Sequence, residues 1–251
     1  MLNPQWTPMD TSYWSSHFPG IKQQPTSKLY FKRFLWRLAI YVPGGELVYS
    51  KDPDLYQALE HRRATAISYN WAGSWYARRN NQLNEVDVKL LYLVKNIRDQ
   101  YGKNIRVRVE EPMLQFYAED EQTIKDIAQE FTYPVDYKSN VEEINGPVNE
   151  AEAGILLSGA IIKRNPSEYQ YKVVLRDGRY RVEAKQQVLT YLENLGDQIK
   201  ITPKCQEMLS RPYPSCWGVF FYTNDLGVAT MLRLIDPDIV GNIHEIVVSN
   251  K

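Results

Sequence analysis

Two distant stretches of this chain carry nearly the same message. "LQFYAED" (114–120) and "VFFYTND" (219–225) each place a Phe-Tyr pair, Phe116-Tyr117 and Phe221-Tyr222, ahead of an Asp three residues after the tyrosine, Asp120 and Asp225. Each then runs into an apolar segment of helical length. A short aromatic run suits a strand. An Asp ahead of a periodic apolar segment is a helix start, because its carboxylate accepts the first free backbone N–H groups. Strand-then-helix written twice in the same terms predicts one αβ unit used twice.

The flanking sequence supplies the rest of each unit. "LYFKRFLWRLAIYV" (29–42) predicts a long strand, turned by Pro43-Gly44-Gly45 into "ELVYS". Asp52-Pro53-Asp54 predicts the start of a short helix bearing Leu55 and Leu59. Residues 85–101 place Val86, Leu90, Leu93 and Ile97 at helical spacing and stop before Gly102. "NIRVRVE" alternates as a strand, Pro112 marks a turn into "MLQFYAE", and Asp120 caps "EQTIKDIAQEF", where Ile124, Ile127, Ala128 and Phe131 share a face. "YPVDYKS" is the expected last strand, followed by a polar linker near "INGPVNEAEA".

In the second half "EYQYKVVLR", "QIKIT", "CWGVFFYT" and "NIHEIVVS" read as strands. "VEAKQQVLTYLENL" and "LGVATMLRLI" read as the helices between them. The expected class is therefore α+β: two tandem split βαβ, ferredoxin-like or RRM-like units. A basic unit spans 28–146 and an acidic one 147–251, behind an extended arm at 1–27. The arm scatters Trp6, Tyr13, Trp14 and Phe18 among four prolines, a density expected to exclude a helix. It either wraps over its own unit or docks on another subunit.

The formal charge is zero, yet residues 28–110 hold 15 Lys/Arg against 8 Asp/Glu, a net of +7. Residues 111–251 hold 14 against 21, a net of −7. This polarity predicts either a basic face for an anionic partner or two regions that attract each other. Cys205 and Cys216, the only cysteines, form neither a zinc pattern nor a disulfide framework, which predicts a reducing compartment. With neither a signal pattern nor an apolar run of membrane length, the expectation is a soluble cytoplasmic protein without a membrane partner.

Alternation sorts the first unit's strands into two faces. Phe34, Trp36, Leu38, Ile40, Ile105, Val107, Val109, Leu114 and Phe116 fall on one. Arg33, Arg37, Tyr41, Arg106, Arg108, Gln115 and Tyr117 fall on the other. Guanidinium groups meet phosphates and tyrosine rings stack on unpaired bases, so an open face of this kind would hold single-stranded nucleic acid. The alternative is that this face packs on the acidic unit through ion pairs. Within 61–81, Arg62, Arg63, Arg78 and Arg79 flank Trp71, Trp75 and Tyr76. That pattern suits a backbone and its bases, or tryptophans that fill the core between solvated arginines. In the second unit Phe220 and Tyr222 lie opposite Trp217, Val219 and Phe221, and Ile246 and Val248 lie opposite Ile243 and Val247. Both faces read as apolar and covered.

No catalytic or cofactor signature is present, and no cofactor is expected. His17, His61 and His244 are not spaced for a metal. Asp177, Glu183 and Lys185 resemble the acid-acid-lysine set of metal-dependent nucleases only at short spacing. The leading expectation is a non-enzymatic protein that binds single-stranded nucleic acid, RNA in preference to DNA. The alternative is an assembly subunit of a larger complex or particle, viral particles included, and a remote alternative is a metal-dependent nuclease. Its protein partner or second copy would engage residues 1–27 and the second sheet.

Overall fold

The computed structural model describes residues 8–68, 86–110, 112–134 and 136–249. The chain divides into two compact units, Met1–Ala153 and Gly154–Lys251. Among the described residues they contain eight helices and two five-stranded mixed sheets, so the protein is α+β.

The first unit runs α1 (Thr11–His17), β1 (Lys22–Pro25), β2 (Trp36–Tyr41), α2 (Leu55–Ser68), α3 (Val88–Tyr101), β3 (Arg106–Glu110), β4 (Met113–Ala118), α4 (Glu121–Glu130) and β5 (Val141–Gly146). Its sheet has the order β1-β5-β2-β4-β3, with β1 parallel to β5 and every other pair antiparallel. Short-range chemistry sets the element ends. The Asp87 carboxylate accepts the N–H groups of Lys89 and Leu90 at the start of α3, and Asp120 accepts that of Thr123 at the start of α4. Gly102 then stops α3 with φ of 50°, a conformation that side chains disfavour. Period-2 alternation buries Leu38, Ile40, Leu114 and Phe116, and α4 packs across β2 and β4 with Phe131 edge-on to Phe116 at 6.1 Å.

The second unit is entered through α5 (Glu150–Leu157). It continues β6 (Ile161–Lys163), β7 (Tyr171–Leu175), β8 (Gly178–Arg179), α6 (Val182–Asn194), β9 (Ile199–Ile201), α7 (Pro203–Ser210), β10 (Ser215–Cys216), β11 (Phe220–Thr223), α8 (Gly227–Ile235) and β12 (Val240–Val248). Its sheet order is β6-β12-β7-β11-β9, with β6 parallel to β12, and β8 pairs with β10 in a small ribbon. Position for position, order and directions match those of the first sheet. Val173, Leu175, Val188, Leu192, Phe221 and Leu232 form the core beneath it.

The repetition reaches further toward the N-terminus than the sequence suggested. Asp10 caps α1, and Asn149 Oδ1 accepts the Glu152 N–H at the start of α5. Ten residues after each cap comes a left-handed glycine, Gly20 (φ 88°) and Gly159 (φ 90°). Two residues later each parallel edge strand begins, at Lys22 and Ile161. Residues 8–27 are therefore not an extended arm. Pro8 and Pro19 bracket the α1 segment without entering it, so the helix forms between them.

Trp14 ties α1 down. Its ring is fully buried, and its Nε1 donates to Glu121 Oε1 at 2.9 Å, which also accepts the Asp10 N–H at 2.9 Å. Removing this acceptor leaves buried donors unpaired, so Glu121→Ala should destabilise the first unit by about 1–3 kcal/mol. Urea unfolding followed by tryptophan fluorescence checks this. A midpoint equal to that of the wild type would show that the carboxylate does not hold the segment.

Three further expectations shift. Residues 29–42 are not one strand, since β2 begins only at Trp36. Before it the chain folds back in a tight turn, with Phe31 (φ 52°) and Lys32 (φ 61°) left-handed and Tyr30 bridging Phe34. Gly45–Tyr49 is a 3-10 turn, and α2 is capped by Asp54 rather than Asp52. The last strand of the first unit is Val141–Gly146 instead of "YPVDYKS": Val141 and Ile144 reach the core, and Asn145 and Glu143 pair with Arg37. The "linker" at INGPVNEAEA thus supplies the end of β5 and the start of α5.

Candidate nucleic-acid interface

Strand order brings four residues of the first sheet's outer face into one row, Asn145 (β5), Arg37 (β2), Tyr117 (β4) and Arg106 (β3), each opposite the next. The sequence placed Arg37, Tyr117 and Arg106 on a common face, and the sheet makes them neighbours. The face is nevertheless not the open platform expected. Tyr117 is only 3% exposed. Tyr30 and Phe31, from the left-handed turn before β2, lie over its ring at 5.0 and 4.9 Å. Its hydroxyl donates to Gln115 Oε1, and Gln115 Nε2 donates to Glu110 Oε2 at 2.7 Å. Burial, reinforced by the Glu110 carboxylate, pushes the Tyr117 phenol up to about 12. A turn of its own unit covers this tyrosine.

What stays accessible is a strip along β3. The Arg106 guanidinium stacks 3.7 Å above the Phe31 ring, which is itself 36% exposed. Arg33 sits in the turn instead of on the strand, where it pairs with Glu119 and donates to the Lys103 carbonyl at 3.1 Å. Arg108 is exposed and pairs with Glu110 at 3.0 Å. Arg37 is half-buried between Asn145, at 2.7 Å, and Glu143, and so braces the sheet. Tyr41 is half-buried at the far end of β2. On α2, Arg62 pairs with Glu46 at 2.9 Å and Arg63 with Glu60 at 2.7 Å. Trp71, Trp75, Arg78 and Arg79 lie outside the described residues.

The second sheet departs most from expectation. One face is apolar and covered, but the outer face is half-exposed and cationic. Lys172 Nζ stands 3.7 Å over Phe220 and Lys163 Nζ 4.1 Å over Tyr222, while Tyr169 stacks on Tyr222 at 6.3 Å. Lys200 lies directly across from Tyr222 on β9. The aromatic strands give no sign of these lysines, which stand on other strands of the sheet. Alternation in "YKVVL" and "IKI" was the signal, since Val173 and Leu175 point inward and leave Lys172 outward.

Two members of the acid-acid-lysine set, Asp177 and Lys185, are in structural use, and Glu183 stands in the first turn of α6. Asp177 Oδ1 accepts the Gly218 N–H at 2.6 Å, and the buried Lys185 Nζ donates to the Arg211 and Tyr213 carbonyls at 3.1 and 2.8 Å. Among the described residues, no three His, Cys, Asp or Glu side chains are grouped to hold a metal ion, and no helix is long and apolar enough to cross a membrane. Fold and surface together define a two-unit α+β protein with a cation–aromatic face on each sheet. In comparison with known proteins, no family model, curated protein or solved structure matches the chain.

Proposed function

We propose that the chain binds single-stranded nucleic acid, RNA in preference to DNA, on tandem split βαβ, ferredoxin-like units. The contact strip in the first unit is Phe31, Arg33, Arg106 and Arg108. The observation that carries this reading is the Arg106 guanidinium 3.7 Å over the exposed Phe31 ring. A flat cation stacked over an exposed aromatic ring gives a base a surface to stack on and a phosphate a partner to bond. Glu119 and Glu110 already pair with Arg33 and Arg108, but in pairs about half exposed. Such pairs contribute only about 0–1 kcal/mol, so a phosphate can displace the carboxylate. Relative to the sequence reading, stacking moves from Tyr117 to Phe31, and Arg37 becomes a support.

Anisotropy of a labelled single-stranded RNA, titrated at several salt concentrations, tests this. The three arginines on phosphates should contribute about −2 to the log–log slope, at roughly −0.7 per contact. The same sequence as DNA should bind more weakly if the strip contacts ribose hydroxyls. Absence of binding at low salt, or affinity indifferent to salt, overturns the reading.

A further inference from the structure

We propose that the outer face of the second sheet is a second single-strand platform, with Phe220 and Tyr222 as base-stacking rings and Lys163, Lys172 and Lys200 as phosphate contacts. This extends the nucleic-acid reading above and rests on it for the class of ligand.

The first ground is a repeat that local sequence hides. In the first sheet the row across the four central strands is Asn145, Arg37, Tyr117, Arg106. In the second, the equivalent strands β12, β7, β11 and β9 give His244, Lys172, Tyr222, Lys200. The tyrosines are those of the two Phe-Tyr-x-x-Asp stretches. Each is flanked across the sheet by a cation on both sides. Even the covering element repeats, for Tyr169 precedes β7 as Tyr30 and Phe31 precede β2. In the first sheet that element closes over its tyrosine. In the second, Tyr222 and Phe220 remain half-exposed and Lys200 is exposed.

The second ground is charge. The stretch from 111 onward is acidic overall, yet this face gathers lysines from β6, β7 and β9. Among the described residues Lys163 and Lys200 form no ion pair. Burial and the neighbouring Lys200 charge both lower the Lys163 pKa, as expected for cations held together without a counter-ion. An anion between them relieves that repulsion. The planar rings beside them favour an anion that also brings flat, unpaired bases, and this is a single strand rather than a duplex.

The test uses the full chain and a labelled uridine-rich single-stranded oligonucleotide at low salt. Tyr222→Leu keeps apolar bulk and removes the stacking ring, and is expected to weaken binding about 5- to 150-fold. The pair Lys163→Glu with Lys200→Glu is expected to weaken it at least about tenfold and to flatten the salt slope by roughly 1.4. Ultraviolet cross-linking of the unmutated protein, mapped by mass spectrometry, should label Phe220 or Tyr222, which guards against a variant that fails to fold. If these variants bind like wild type and no cross-link maps to β11, while Arg106→Glu and Phe31→Leu abolish binding, the second platform is overturned and the first-unit strip stands. The reverse pattern supports the platform and removes the strip. Absence of any single-strand binding overturns both. Should polyglutamate compete as well as the oligonucleotide, with Tyr222→Leu unaffected, the face is a patch for acidic protein and the proposal fails.

Discussion

Gly146→Ala should destabilise the first unit by about 3 kcal/mol or more, at the upper end of what overpacking a core does. Gly146 ends β5 opposite Pro25 of β1, and the ring of Trp36 occupies the space that a Cβ at this position would need. A Cβ there would be driven into Cζ3 of that ring, with Cε3 2.5 Å and Cη2 2.6 Å away. Trp36 cannot yield, because it is 1% exposed and locked among core side chains. Either the ring leaves its rotamer or β5 shifts off β2 and breaks the pairing of Asn145 with Arg37. Gly154→Ala is the control. It lies within α5 with nothing within 4 Å of its would-be Cβ, and alanine in a helix should stabilise by about 0.5–1 kcal/mol. Equal urea midpoints for the two variants would mean that Trp36 does not occupy the place assigned to it.

Tyr117→Ala should be of similar size, about 3–5 kcal/mol, the range for deleting a buried aromatic ring. The ring supports Tyr30 and Phe31, so its loss opens a cavity beneath the left-handed turn. Tyr117→Phe keeps the packing and removes only the hydrogen bond to Gln115, which should bring the loss to about 1–3 kcal/mol. A graded series, with alanine far worse than phenylalanine, is the signature of a packed ring. If Tyr117→Ala kept its midpoint and instead lost oligonucleotide affinity, Tyr117 would be an open stacking surface and Phe31 would not cover it.

Much of this fold was legible because its causes are local. Asp87, Asp120 and Gly102 bound their helices by satisfying or ending backbone hydrogen bonds within a few residues, and such chemistry needs no tertiary partner. Where the reading failed, a longer-range term decided. Residues 29–35 have strand composition, but Phe31 and Lys32 adopt positive φ, for which the packing of Phe31 on Tyr117 and beneath Arg106 compensates. The strand expected at "YPVDYKS" lost to "VEEING", whose Val141 and Ile144 fill the inner face while Asn145 meets Arg37. The proline density of residues 1–27 hides the gap between Pro8 and Pro19, and α1 occupies that gap.

The candidate sites divide along the same line. Alternation along a strand is local, so the sequence by itself determined that the two members of each repeated Phe-Tyr pair point to opposite faces, and that Phe116 joins the apolar one, whereas which face of the second sheet would be covered was left to the structure, which buries Phe221. It also determined that two units of one plan lie in the chain. Which residues stand beside those tyrosines depends on strand order, and a 5-2-4-3 or 12-7-11-9 arrangement joins segments far apart in sequence. Only the tertiary structure could place Arg37 and Arg106 around Tyr117, or bring Lys163, Lys172 and Lys200 to Tyr222. It also decided that the first tyrosine is shut beneath a turn and the second left half-open, because burial is set by the segment that folds back over a face and not by the strand that carries the side chain.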